Sequence, residues 1–143
     1  MTVGIILAEK GRDVLTIEPG ASLSAATRLL GQKRIGAALI LGPDRHIAGI
    51  ISERDIVRAI GERGAAALDE TVASAMTRKV ETCTVNDSVA TIMERMTAGK
   101  FRHMPVVENG RLAGLVSIGD VVKHRLLQME RDHVAMRDYI MTA

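Results

Sequence analysis

The chain has 143 residues, 47% hydrophobic and 25% charged, with a net charge of +2, which allows one compact globule or two small units sharing a core. Phe101 and Tyr139 are the only aromatic residues, so the core is aliphatic and the stacking platforms that single-stranded nucleic acid needs are excluded. Cys83 is the only cysteine, which excludes an internal disulfide and a thiolate metal cluster and leaves a buried, inert thiol as the expectation.

Taken in chain order, residues 3–7 form an apolar run too short to span a membrane. No basic leader or small-residue cleavage site accompanies it, so a cytoplasmic protein with no membrane partner is expected. Lys10 and Arg12 read as a solvated turn. An extended run over residues 14–17 ends at Pro19-Gly20, and Ser22 stands where a helix cap is needed. Leu23, Ala26, Leu29 and Leu30 then fall at helical spacing,. A buried strand is expected over 37–41, a tight polar turn over 42–45 and a second strand over 47–51. Ser52 leads into another helix.

This order then recurs. Residues 14–60 align with 80–125 with a single one-residue gap. The second copy has its own extended entry, a turn at Asn86-Asp87, a capping Ser88, and a helix with Val89, Ile92, Met93 and Met96 inward. Strands over 104–107 and 112–116 follow, joined by a turn over 108–111. The closing segments, 47–58 and 112–123, match best: five of twelve pairs are identical, including Gly49/Gly114, Ser52/Ser117 and Asp55/Asp120. Composition makes two aliphatic strands alike, but it does not place Gly, Ser and Asp in register. The duplication is therefore real. The predicted fold is α/β, each unit running strand–helix–strand–strand–helix. A unit this small cannot bury all its apolar faces alone, so the two are expected to pack sheet to sheet about a pseudo-twofold axis. The expected division is 1–68, 69–126 and a helical extension over 127–143.

Gly49-Ile50-Ile51-Ser52-Glu53-Arg54-Asp55 and Gly114-Leu115-Val116-Ser117-Ile118-Gly119-Asp120, with Arg102-His103-Met104-Pro105-Val106-Val107 and the linker over 72–77, resemble the cystathionine-beta-synthase-type (CBS) domain family in tandem-pair form. The resemblance covers about 14–125. It implies a regulatory module that binds an adenosine nucleotide (AMP, ADP, ATP or NAD(H)) without turning it over. Such a module reports energy or redox state to a partner protein, which the sequence does not name. Asp55 and Asp120 would accept from the ribose hydroxyls, and Thr16 and Thr82 would supply hydroxyl contacts. Backbone at Ala37, Ala38, Met104 and Pro105 would read the adenine edge, with Ile35, Ile50, Phe101 and Leu115 as walls. Ser52 and Ser117 would face phosphate at a helix start, where free N–H groups and the helix dipole favour an anion. Arg54, Lys100, Arg102 and His103 would be its cations. The structural alternative is that each Ser and Asp forms a helix cap; against it stands the glycine three residues before each serine, which capping does not require. The copies differ, Glu53-Arg54 facing Ile118-Gly119 and Gly36-Ala37 facing Arg102-His103, so the two crevices are not expected to be equivalent.

His46, His124 and His133 read as surface or interface histidines, and no metal-ligand spacing links them. Val122, Leu126, Met129, His133, Met136 and Ile140 recur at alternating four- and three-residue steps along one long terminal helix, a seam expected to contribute to a homodimer. Two rival classes remain. A nucleotide-hydrolysing enzyme lacks a Walker-type loop or a catalytic triad order. A DNA-associated transcriptional regulator would use the terminal helix, but the charges there are mixed, which disfavours phosphate tracking.

Overall fold

The computed structural model describes residues 1–142. Its elements in chain order are α1 (Val3–Lys10), α2 (Leu23–Lys33), β1 (Ala37–Leu41), β2 (Ile47–Ser52), α3 (Glu53–Arg63), α4 (Val72–Ala75), α5 (Val89–Gly99), β3 (His103–Glu108), β4 (Arg111–Ser117) and α6 (Ile118–Thr142). The strands form two two-stranded sheets, β1 with β2 and β3 with β4. The mixed α/β architecture, the duplicated element order and the long terminal helix agree with the sequence reading.

The entry strands do not form as expected. Each copy keeps one parallel bridge, Thr16 to Leu39 and Cys83 to Val106. Ile17 N–H donates to Leu39 O and Leu39 N–H to Leu15 O, both at 2.9 Å; Cys83 N–H donates to Pro105 O at 3.0 Å and Val107 N–H to Cys83 O at 2.9 Å. Two bonds on either side of one residue exhaust the extended run before the Pro19-Gly20 or Asn86-Asp87 turn. Pro105 can accept in this ladder but has no N–H to extend it.

Local chemistry explains the punctuation. Ser22 and Ser88 cap α2 and α5 by accepting from Ala25 N–H at 3.0 Å and Thr91 N–H at 3.1 Å,. Both helices end in a left-handed basic residue, Arg34 (φ 54°) and Lys100 (φ 57°), where a cation suits the carbonyl end of the dipole. The hairpin between β3 and β4 turns on Asn109 (φ 54°) and Gly110 (φ 75°), the pair that a two-residue type I′ turn requires.

The chain divides into two compact units: Asp13–Glu81 with residues 109–112, and Met1–Arg12 with 82–108 and 113–143. Sequence order put residues 1–12 with the first repeat; by packing they go with the second. In that unit Val3 N–H donates to Asp87 O at 2.9 Å and Val89 N–H to Met1 O at 3.0 Å. In the other unit the linker does the same work: Val72 N–H donates to Ala21 O at 2.8 Å and Leu23 N–H to Glu70 O at 2.9 Å. Each repeat's cap serine is thus braced by the short helix that precedes the other repeat. Each unit has its own core. Leu23, Ala38, Ile40, Ile51, Ile56 and Val72 centre one, and Val3, Ile6, Leu7, Ile92, Met104 and Val116 the other. Cys83 lies in the second core, and burial, then Asp87, pushes its thiol up to about 12.

Candidate functional site

Backbone pairing gathers the predicted residues into two corresponding corners. In the first, Ala37 pairs with Ser52 and Ala38 with Ile51 across β1–β2, while the bridge sets Thr16 beside Leu39. Glu53 N–H donates to Gly36 O at 3.0 Å, closing the step from strand to helix. Thr16, Ala37, Ser52 and Asp55 therefore surround the start of α3. Thr16 is exposed, Ala37 and Ala38 are buried, and Arg54 lies exposed on the first turn of α3. In the second corner, Cys83 N–H binds Pro105 O and Ile118 N–H donates to Arg102 O at 2.8 Å. That places Thr82, Arg102, Pro105 and Ser117 around the start of α6. Met104 and Pro105 are buried, Arg102 is exposed, and His103 is half-buried at the head of β3. Lys100 stands two residues before Arg102 as the αL cap of α5.

Both Ser-x-x-Asp motifs form capping geometry. At the first, Asp55 N–H donates to Ser52 Oγ at 3.3 Å, and Ser52 N–H returns a bond to Asp55 Oδ2 at 2.8 Å. The Ser52 hydroxyl donates to the same Oδ2 at 3.0 Å, and Thr77 Oγ1 donates to Oδ1 at 3.1 Å. Both carboxylate oxygens of Asp55 are engaged and the residue is 7% exposed. Asp55 is thus a closed carboxylate, because the linker folds back over it. Ile50 and Thr77 exchange backbone bonds at 2.9 and 2.8 Å, which delivers the Thr77 hydroxyl to Asp55.

The second corner is more open. Ser117 N–H donates to Asp120 Oδ2 at 2.9 Å and Asp120 N–H to Ser117 Oγ at 3.2 Å. Lys10 Nζ reaches Oδ2 at 2.7 Å and donates to Leu115 O at 3.0 Å. The Asp120 side chain is 24% and that of Lys10 38% exposed. Burial alone would raise the Asp120 carboxyl, but the Lys10 ammonium and the Ser117 backbone N–H outweigh it and hold it below the ordinary carboxylate range,. Lys10 is no solvated turn residue, and Arg12 pairs with Glu108 at 3.1 Å.

The motif glycines have packing reasons in both copies. A Cβ on Gly49 would stand 2.7 Å from Met76 Sδ and 2.9 Å from Thr77 O; one on Gly114 would stand 2.8 Å from Leu7 Cδ2. The glycine therefore does not separate ligand binding from capping, since close approach of α1 or the linker demands it either way. His124, expected at a surface or interface, is buried, its Nε2 3.2 Å from a Glu9 carboxylate oxygen.

Sequence reasoning missed Lys10 and Thr77, which complete these corners, and Arg34, which holds at the end of α2 the place that Lys100 holds at the end of α5. Arg34 was legible, because it stands twelve residues after Ser22 as Lys100 does after Ser88. The Thr-Val pairs at 2–3 and 71–72 were the signal for matched α1 and linker segments, but their exchange between repeats leaves no local trace.

A strand-to-helix corner closed by a Ser-x-x-Asp cap behind a glycine thus occurs twice, and the CBS-domain family model matches residues 11–62 and 72–127. The chain belongs to the CBS-domain family, as a tandem pair. It is 47% identical to a CBS-domain containing protein of Agrobacterium tumefaciens, with a TM-score of 0.84 over 87% of this chain and 99% of that one. It is 32% identical over 130 residues to the mitochondrial CBS domain-containing protein CBSX3 of Arabidopsis thaliana, covering 85% of this chain and 63% of that protein. An uncharacterized 17.7 kDa protein of Acidianus ambivalens is 31% identical over 111 residues, 77% of this chain and 66% of its own length. The chain spans only about a fifth of several larger Arabidopsis relatives, 22% in one case. The CBS domain pair of protein MJ0100, solved in complex with 5′-methylthioadenosine and S-adenosyl-L-methionine, shares the fold at 24% identity and a TM-score of 0.76. Among the described residues no helix is long and apolar enough to cross a membrane.

Proposed function

We propose that this pair binds an adenosine nucleotide as a regulatory ligand, without turning it over, and passes the occupancy on to a partner protein. AMP, ADP, ATP and NAD(H) share the adenine and ribose that such a site would recognise. The observation that carries the reading is the second corner. There a partly exposed carboxylate, Asp120, sits at a helix start in the corner that also holds Thr82, and one of its partners is the flexible end of Lys10. Ribose hydroxyls would replace the lysine as donors to Asp120, and the displaced ammonium would be available to phosphate. Arg102 and His103 head the adjoining strand. The first corner is the weaker site on this reading, because Thr77 and Ser52 already engage both oxygens of a buried Asp55.

The test is calorimetric titration of unfolded and refolded, ligand-stripped protein with AMP, ATP, NAD and S-adenosylmethionine. One of these should bind with a Kd near micromolar, about −8 kcal/mol. Asp120→Ala should weaken it at least tenfold, as loss of a charge-assisted bond of roughly 1.5–3 kcal/mol requires. Absence of heat with all four ligands would overturn the reading. ATP turnover would replace it with an enzyme, and a salt-resistant DNA shift with a DNA-associated regulator.

A further inference from the structure

Helix α6 runs 25 residues, and the last buried residue along it is His124. From Met129 onward every described residue is exposed, although the stretch carries Met129, Met136 and Ile140 at 53%, 61% and 65% exposure. The family match ends at 127, so this stretch lies outside the CBS repeats. An unsupported helix of this length is marginal in water and needs a partner for its apolar face.

Two apolar stripes run along it, and the charges between them decide which one pairs. Leu127, Val134 and Met141 form one stripe, but the positions that would complete its seam hold Glu130 and Arg137. The other stripe, Leu126, Met129, His133, Met136 and Ile140, is uninterrupted apart from one histidine. With 126, 133 and 140 taken as a positions and 129 and 136 as d, the g positions 125 and 132 are Arg and Asp. The e positions 130 and 137 are Glu and Arg. In a parallel, in-register pair each g residue faces the e residue five places later on the other helix. Arg125 then meets Glu130, and Asp132 meets Arg137, on both sides. An antiparallel pair does worse in both of its registers: with 126 opposite 136, Asp132 faces Asp132 and Glu130 faces Glu130, and with 129 opposite 140 only two attractions remain, Glu130 with Arg137, against four in the parallel pair,.

We infer that the α6 extensions of two copies of this chain pair as a short parallel, in-register coiled coil, with orientation set by the Arg125–Glu130 and Asp132–Arg137 complements. His133 faces its own equivalent, a polar a layer that specifies register at some loss of stability. The seam spans fewer than three heptads, so the pair is concentration-dependent. This inference goes beyond the nucleotide reading and stands without it.

The test uses the full chain carrying Met136→Cys, oxidised in a glutathione buffer and followed on non-reducing gels. Parallel pairing sets the two d-position cysteines within disulfide reach, so a covalent dimer should form at least tenfold faster than from Arg131→Cys, whose thiol points away from the seam. Asp132→Arg in the Met136→Cys background should slow crosslinking about tenfold, as should Arg137→Asp, because each converts two attractions into repulsions. A mixture of the two single-charge variants should crosslink to each other at the original rate, and so should the double variant with itself. Circular dichroism confirms that each variant is folded. Equal rates for Met136→Cys and Arg131→Cys would overturn the inference, as would indifference to the charge reversals. Failure of the double variant to recover would overturn the parallel orientation.

Discussion

Replacing the two motif aspartates by alanine should have unequal effects on stability, although the sequence makes them equivalents. Asp55 is buried and accepts from Ser52 N–H at 2.8 Å, Ser52 Oγ at 3.0 Å and Thr77 Oγ1 at 3.1 Å. Asp55→Ala leaves the half-buried Ser52 N–H without its acceptor and removes the tie to the linker. The lost charged hydrogen bonds and the stranded donor together amount to about 3 kcal/mol. Asp120 loses Ser117 N–H and the exposed end of Lys10, where water replaces the lost partners, so about 1 kcal/mol is expected. The difference, about 2 kcal/mol, is large against a typical total of roughly 5–15 kcal/mol. It corresponds to about 5 °C in Tm for a chain of this size. Urea unfolding followed by circular dichroism measures it, with unchanged m values as the condition for comparison. Thr77→Val should reproduce part of the Asp55→Ala loss and none of the Asp120→Ala loss. If the two alanine variants unfold within about 0.5 kcal/mol of each other, at the margin of measurement, the closed cap at Asp55 is refuted.

Further outcomes follow from the same geometry. The lowered Asp120 carboxyl contributes stability that is present above the ordinary carboxylate range and lost as pH falls through its lower folded value,; Lys10→Met should flatten that acid limb in urea titrations from neutral to acidic pH. Cys83 should resist aromatic disulfide reagents at neutral and mildly alkaline pH and react only as fast as its unit opens, since burial holds it as a thiol,; rapid stoichiometric labelling of native protein would contradict its placement. Gly49→Ala should destabilise by about 1–3 kcal/mol, because backbone at Thr77 must shift,. Gly61→Ala, in α3 with nothing within 4 Å of its Cβ, should stabilise by about 0.5–1 kcal/mol,; thermal melts separate the two signs.

What the sequence by itself determined is everything carried by short-range pattern. Ser22 and Ser88 announce α2 and α5, Asn109-Gly110 announces a hairpin, and five identities in twelve positions announce a duplication. These depend on neighbours within a few residues, whose geometry local sterics and hydrogen bonding dictate. The apolar steps along α6 were readable for the same reason, and the charges between them lie in the same stretch. Tertiary structure alone decided which repeat each leading segment braces, because the hydrogen bonds from Val3 to Asp87 and from Val72 to Ala21 join residues far apart in the chain. From that exchange comes the inequality of the two aspartates. The linker brings a threonine hydroxyl that closes over Asp55, whereas α1 brings a lysine whose charged end stays in contact with water at Asp120. Identical Ser-x-x-Asp motifs thus acquire different burial, because the desolvation of a carboxylate is set by what packs against it in space and not by its neighbours in sequence.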